Sequence, residues 1–111
     1  MDDQGVSHYV TEGILRASHR ALSEAPWNNI GLPFQRSFTE DLQPLPEDRP
    51  GELVMDLHPT SNVFNKGHRM RLTIMCADAD NVELPDVAPT VQVFRNSVHA
   101  SKIELPVVPD A

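Results

Sequence analysis

Cysteine is nearly missing. The single Cys76 among 111 residues excludes an internal disulfide, and its place in Leu72-Thr73-Ile74-Met75-Cys76 reads as a small buried hydrophobe, not a reactive thiol. Aromatic residues are scarce at 5%, so a domain that hides about two-thirds of its unfolded surface has only a thin core to build. Positive charge is also in deficit. Nine Lys and Arg stand against sixteen Asp and Glu, for a formal charge of −7, whereas phosphate binding needs a clustered positive surface that releases counterions. Nucleic acid is therefore not an expected partner. Long apolar runs are missing too: none approaches the roughly 18 residues that read as a membrane span. The opening Met1-Asp2-Asp3-Gln4 lacks the basic, apolar and cleavage-site pattern of a leader. No membrane partner is predicted, and the chain read from this start is expected to be cytoplasmic.

What the sequence does contain is proline, ten of 111 residues, about twice the average usage. That density cuts the chain into short segments and excludes long helices. With 40% hydrophobic and 23% charged residues, the composition is that of a globular chain with enough apolar content to fold. The length suits one domain or part of a larger one.

Alternation of apolar and polar positions, the mark of a two-faced strand, recurs along the chain. Val6, His8 and Val10 alternate with Ser7, Tyr9 and Thr11 until Gly13 interrupts, and residues 14–20 fit either a second strand or a short helix, with the strand favoured by its neighbours. Residues 52–58 place Leu53, Met55 and Leu57 on one face. Residues 68–76 do the same with Met70, Leu72, Ile74 and Cys76, after a turn at Asn65-Lys66-Gly67. These two segments are the clearest expected strand pair, and 90–95 and 102–108 supply two more. Between them lie a proline-rich connector at 43–51 and a polar loop at 78–89. Several short strands without an amphipathic helix predict an all-β fold, a sandwich.

Residues 23–36 stand apart. Pro26, Asn28, Asn29, Gly31 and Pro33 are turn formers, yet they surround Trp27, Ile30, Leu32 and Phe34. A loop of this length carrying large apolar groups packs against another surface or serves a function.

Catalytic and metal motifs are not found. A serine nucleophile elbow needs G-x-S-x-G at a strained turn that lifts the hydroxyl beside an oxyanion hole, and the sequence contains none. His8, His19, His58, His68 and His99 show neither H-E-x-x-H nor a close His and Cys pairing, so they read as structural or surface groups and no metal is expected. Asp78, Asp80 and Asn81 resemble the start of a calcium loop but lack its glycine and distal glutamate, which leaves a solvated turn. The acidic residues are too dispersed to nominate an acid and base pair. Arg69 and Arg71 share the polar face of their segment and read as solvated. Trp27 with Phe34 could form a sugar-stacking platform, although packing is the simpler use of two aromatics in one loop.

Four phrases in order carry a family likeness: Tyr9-Val10-Thr11-Glu12-Gly13-Ile14-Leu15-Arg16-Ala17-Ser18-His19-Arg20, Pro59-Thr60-Ser61-Asn62-Val63-Phe64, Gly67-His68-Arg69-Met70-Arg71-Leu72-Thr73-Ile74, and the closing Ser101-Lys102-Ile103-Glu104-Leu105-Pro106-Val107-Val108-Pro109. Together they resemble the C-terminal domain of the X-Pro dipeptidyl-peptidase and cocaine esterase family of serine hydrolases, which includes α-amino acid ester hydrolases. The resemblance implies a jelly-roll β-sandwich packed on an α/β-hydrolase domain that holds a Ser, Asp and His triad. No triad position maps onto this sequence. Family domains of this kind run considerably longer, and Asp3-Gln4-Gly5 resembles a turn midway through one. Residues 1–111 are therefore expected to be the second, partial half of the jelly roll.

The resemblance implies a non-catalytic portion of an ester- or amide-cleaving enzyme, inactive alone and needing no cofactor, that stabilises and shapes the active site. Its expected partner is the α/β-hydrolase domain or a separately supplied first half of the sandwich, with a homodimer through an open edge strand as a further outcome. Trp27, Asn28, Asn29, Leu32 and Phe34 are the candidate docking loop. A free-standing module for carbohydrate or another small ligand is the alternative.

Overall fold

A computed structural model describes residues 1–76 and 90–109. The chain divides into two compact units, Met1–Arg71 and Leu72–Ala111. The expected loop at 78–89, with Asp78, Asp80 and Asn81, lies outside the described residues.

The expectation of an all-β, jelly-roll-like sandwich is overturned. Among the described residues there is no strand, and the regular elements are two short 3-10 helices, Ala17–His19 and Thr39–Asp41. Within the first unit, no backbone hydrogen bond joins residues 52–58 to residues 68–71 among those described. Instead the His58 amide donates to the Glu12 carbonyl at 2.9 Å, and the Thr11 hydroxyl donates to the His58 carbonyl at 2.6 Å. Met1 and Arg69 exchange two bonds, at 2.6 and 2.8 Å. These are single points of pairing. A ladder needs successive paired residues and an apolar face closed from water, and no described residue is buried. Met70 and Leu72, placed by their alternation on a core face, are 61% and 63% exposed. The alternation is real, but nothing covers the face it creates. Cys76, expected to be buried, is exposed as well.

Where the chain does make close approaches, the reason is local. A Cβ on Gly13 would sit 2.2 Å from the Asp56 carbonyl oxygen, so only glycine lets residues 11–13 lie against 56–58. Within residues 14–20 the structure forms the short 3-10 helix Ala17–His19 and not the favoured second strand. Its His19 amide donates to the Arg16 carbonyl at 2.8 Å. The Arg20 guanidinium fastens this turn to the proline-rich connector, donating to the carbonyls of Ala17, Gln43 and Pro44. The Gln43 amide returns a bond to the Ser18 carbonyl at 2.9 Å. The turn at Asn65-Lys66-Gly67 forms, with the His68 amide on the Asn65 carbonyl at 3.0 Å and Gly67 at φ +88°.

In the second unit the expected strands at 90–95 and 102–108 are likewise not found. A clasp occupies the space between them. Asn96 Oδ1 accepts from the amides of Val98 and His99, the Ser101 hydroxyl donates to the Phe94 carbonyl, and the Phe94 and His99 rings meet edge to face at 5.6 Å.

Candidate docking surface

The loop singled out in the sequence is an ordered turn in the first unit. The Ser23 amide donates to the Phe34 carbonyl at 2.8 Å and closes its base, while the Leu32 amide donates to the Asn29 carbonyl at 3.1 Å and closes its tip. Between those points Ile30 and Gly31 have φ of +60° and +74°, the left-handed signs of a type I′ turn. Gly31 adopts this without cost, whereas a β-branched isoleucine there is strained. Asn28 and Asn29 hold the geometry: Asn28 Oδ1 accepts from the Ile30 amide at 3.1 Å, and the Asn29 side-chain amide donates to the Leu32 carbonyl.

The two asparagines are thus braces, and the apolar residues are what they display. Ile30 at the tip is 87% exposed and Trp27 on the flank 61%. Trp27 and Phe34 face each other across the base with ring centroids 5.2 Å apart at 75°, an edge-to-face pair. All five predicted residues, Trp27, Asn28, Asn29, Leu32 and Phe34, therefore fall on one turn.

Sequence reasoning missed the continuation of this surface. Arg36 Nε donates to Asp41 Oδ2 at 2.7 Å, and a terminal guanidinium nitrogen donates to Asp41 Oδ1 at 2.9 Å and to Glu40 at 3.0 Å. The guanidinium carbon also stands 4.8 Å from the centre of the Phe38 ring, a cation–π distance. Ser37, between them, has φ +56°. An arginine followed at four and five positions by Glu40 and Asp41 was visible as a charge pattern, but no helix spans the three residues; the left-handed Ser37 and the turn Thr39–Asp41 after it bring the carboxylates back to the guanidinium. Glu24, Pro26, Phe34, Gln35, Arg36 and Phe38 line a shallow recess beside the turn.

The hydrogen bonds from Arg36 hold the Asp41 carboxyl below its ordinary pKa, and the same contact raises Arg36. A carboxylate with a depressed folded pKa contributes stability above its unfolded value, near 3.9, and loses it as pH falls through the folded value. The brace is therefore expected to survive acidification past the point where free aspartate protonates. Carbon-detected titration of Asp41 should give a midpoint below that of the same residue in a short peptide; an equal or higher midpoint would refute the brace.

The histidines do not assemble into a centre. His8 Nε2 pairs with Asp2 Oδ2 at 2.8 Å, and Asp2 Oδ1 accepts from the amides of Gln4 and Val6. The His8 bond, foremost, lowers the Asp2 pKa. His8 and His68 line one recess with Asp2 and Tyr9, but among the described residues no group of three or more His, Cys, Asp or Glu could hold a metal ion. Nor, among these residues, is any helix long and apolar enough to cross a membrane.

The chain is 43% identical over 111 residues to "Putative serine esterase Mb1866c" of Mycobacterium bovis and, equally, to "Putative serine esterase MT1883" of Mycobacterium tuberculosis. The alignment covers 97% of this chain but 18% of each relative. No solved structure matches significantly. Residues 1–102 match the family described as the X-Pro dipeptidyl-peptidase C-terminal non-catalytic domain, and the resemblance carried by the four sequence phrases thereby stands: the chain belongs to that family.

Proposed function

We propose that this chain serves as the C-terminal, non-catalytic portion of a serine hydrolase that cleaves esters or amides through an acyl-serine intermediate, and that it stabilises and shapes the active site from outside. One observation carries the reading: a braced turn displays Trp27, Ile30 and Leu32 to solvent, an arrangement suited to an inter-domain contact. The name of the mycobacterial relatives and the family's non-catalytic description support it. So does the lack of any G-x-S-x-G in the sequence. The partner in this reading is the α/β-hydrolase domain, and Trp27, Asn28, Asn29, Leu32 and Phe34 form the docking loop. The carbohydrate-module alternative is weaker, because Phe34 meets Trp27 edge to face at 75° and the two rings form no shared flat platform.

The chain alone is expected to be inert toward an activated ester and toward a serine-directed phosphonate, since nucleophile, base and oxyanion hole act as a unit that it does not carry. Mass spectrometry after incubation checks this. Stoichiometric labelling of any serine would overturn the reading.

A further inference from the structure

Ile30 and Ser37 are the non-glycine residues with positive φ among those described, and they lie seven positions apart on one exposed segment. Each is next to a brace: Asn28 and Asn29 beside Ile30, Arg36 with Asp41 beside Ser37. Backbone held in a sparsely populated region and over-determined by its surroundings is a reason to look for function at that point. Here the strain has a visible product. It lifts Ile30 to the tip of its turn, 87% exposed, and leaves Phe38, 54% exposed, beside the recess lined with Phe34 and Pro26.

The charge on this segment says what the surface fits. Arg36 is its cation, and two carboxylates already occupy the guanidinium, so the segment has little to offer an acidic partner. Glu24 adds an exposed carboxylate at the recess, and the large side chains left for contact, Ile30, Phe34 and Phe38, are apolar. More than four-fifths of each mycobacterial relative lies outside the aligned region, so a large body of polypeptide is available to cover it.

We infer that Ile30 and Phe38 are the two specificity-determining anchors of the docking surface, each inserting into an apolar, uncharged recess on the hydrolase portion of the same parent enzyme, and that the left-handed backbone at Ile30 and Ser37 is retained to present them. This extends the docking reading and rests on it. Anchors of this kind are few and carry most of an interface, and an isoleucine kept at a position that favours glycine or asparagine is accounted for by what its side chain reaches.

Ile30→Gly relieves the strained φ, so any loosening it causes reports the lost side chain and not added backbone strain. In the full-length hydrolase carrying this sequence the same change should expose the interface, with amide exchange across residues 28–38 faster by about tenfold or more, the scale of a lost anchor. Phe38→Ala should act alike in the full-length protein, and Ile30→Leu should restore most of the protection. If Ile30→Gly and Phe38→Ala leave exchange in the full-length protein unchanged or slower while Trp27→Ala accelerates it, the anchors are wrong and docking stands. If none of the three variants changes it, docking through this face and the anchors fall together.

Discussion

Replacing Trp27 with alanine in the proposed full-length hydrolase is expected, on the docking reading, to lower its thermal stability markedly and to loosen the C-terminal portion from the rest, at a cost of about 2 kcal/mol or more, the threshold for an interface hot spot. Two losses combine. Within the turn, the edge-to-face contact with Phe34 at 5.2 Å disappears, worth about 0.5 to 1.5 kcal/mol. Across the proposed interface, the exposed indole no longer removes apolar area from water, at about 25 cal/mol per Å². Calorimetry of the full-length protein, beside sugar binding by titration, separates the readings. Unchanged stability with abolished sugar binding would favour the carbohydrate module.

The second large effect concerns the chain by itself. No described residue is buried, so little apolar burial stands against backbone ordering, which costs about 1 to 2 kcal/mol per residue. Exposed apolar groups such as Met70, Leu72 and Ile74, with backbone groups outside any ladder, invite association. The isolated chain is expected to unfold without a sharp transition and to self-associate, or to bind a separately supplied remainder of the enzyme and gain amide protection on doing so. Sedimentation and hydrogen exchange over a range of concentrations test this. A concentration-independent monomer, cooperatively unfolding and protected throughout, would show that the chain is a self-sufficient domain.

Residue types alone drew attention to the candidate loop. Large apolar groups among turn formers at 26–34 are costly to leave in water and so single out the segment; the structure leaves Trp27 and Leu32 exposed there, and their docking role is the proposal made above. The asparagines were named for the same loop, but their work as braces depends on which carbonyl and amide they reach, and that is decided by the backbone at Ile30. Arg36 and Phe38 were missed because their contacts to Asp41 and to each other depend on the left-handed backbone at Ser37 and the turn after it.

By itself the sequence determined the charge balance, the lack of an internal disulfide, the missing nucleophile elbow, the local turn at Asn65-Lys66-Gly67 and, through four ordered phrases, the family. Each of these depends on residue identity or on neighbours a few positions away. Only the tertiary structure decided that residues 52–58 meet 11–12 and not 68–71, that Cys76 is exposed, and that the alternating segments among the described residues stay without a ladder. Alternation sets two faces on an extended segment, but a strand exists only when a neighbour supplies successive hydrogen bonds and a second layer covers the apolar face, and both of those come from residues distant in the chain.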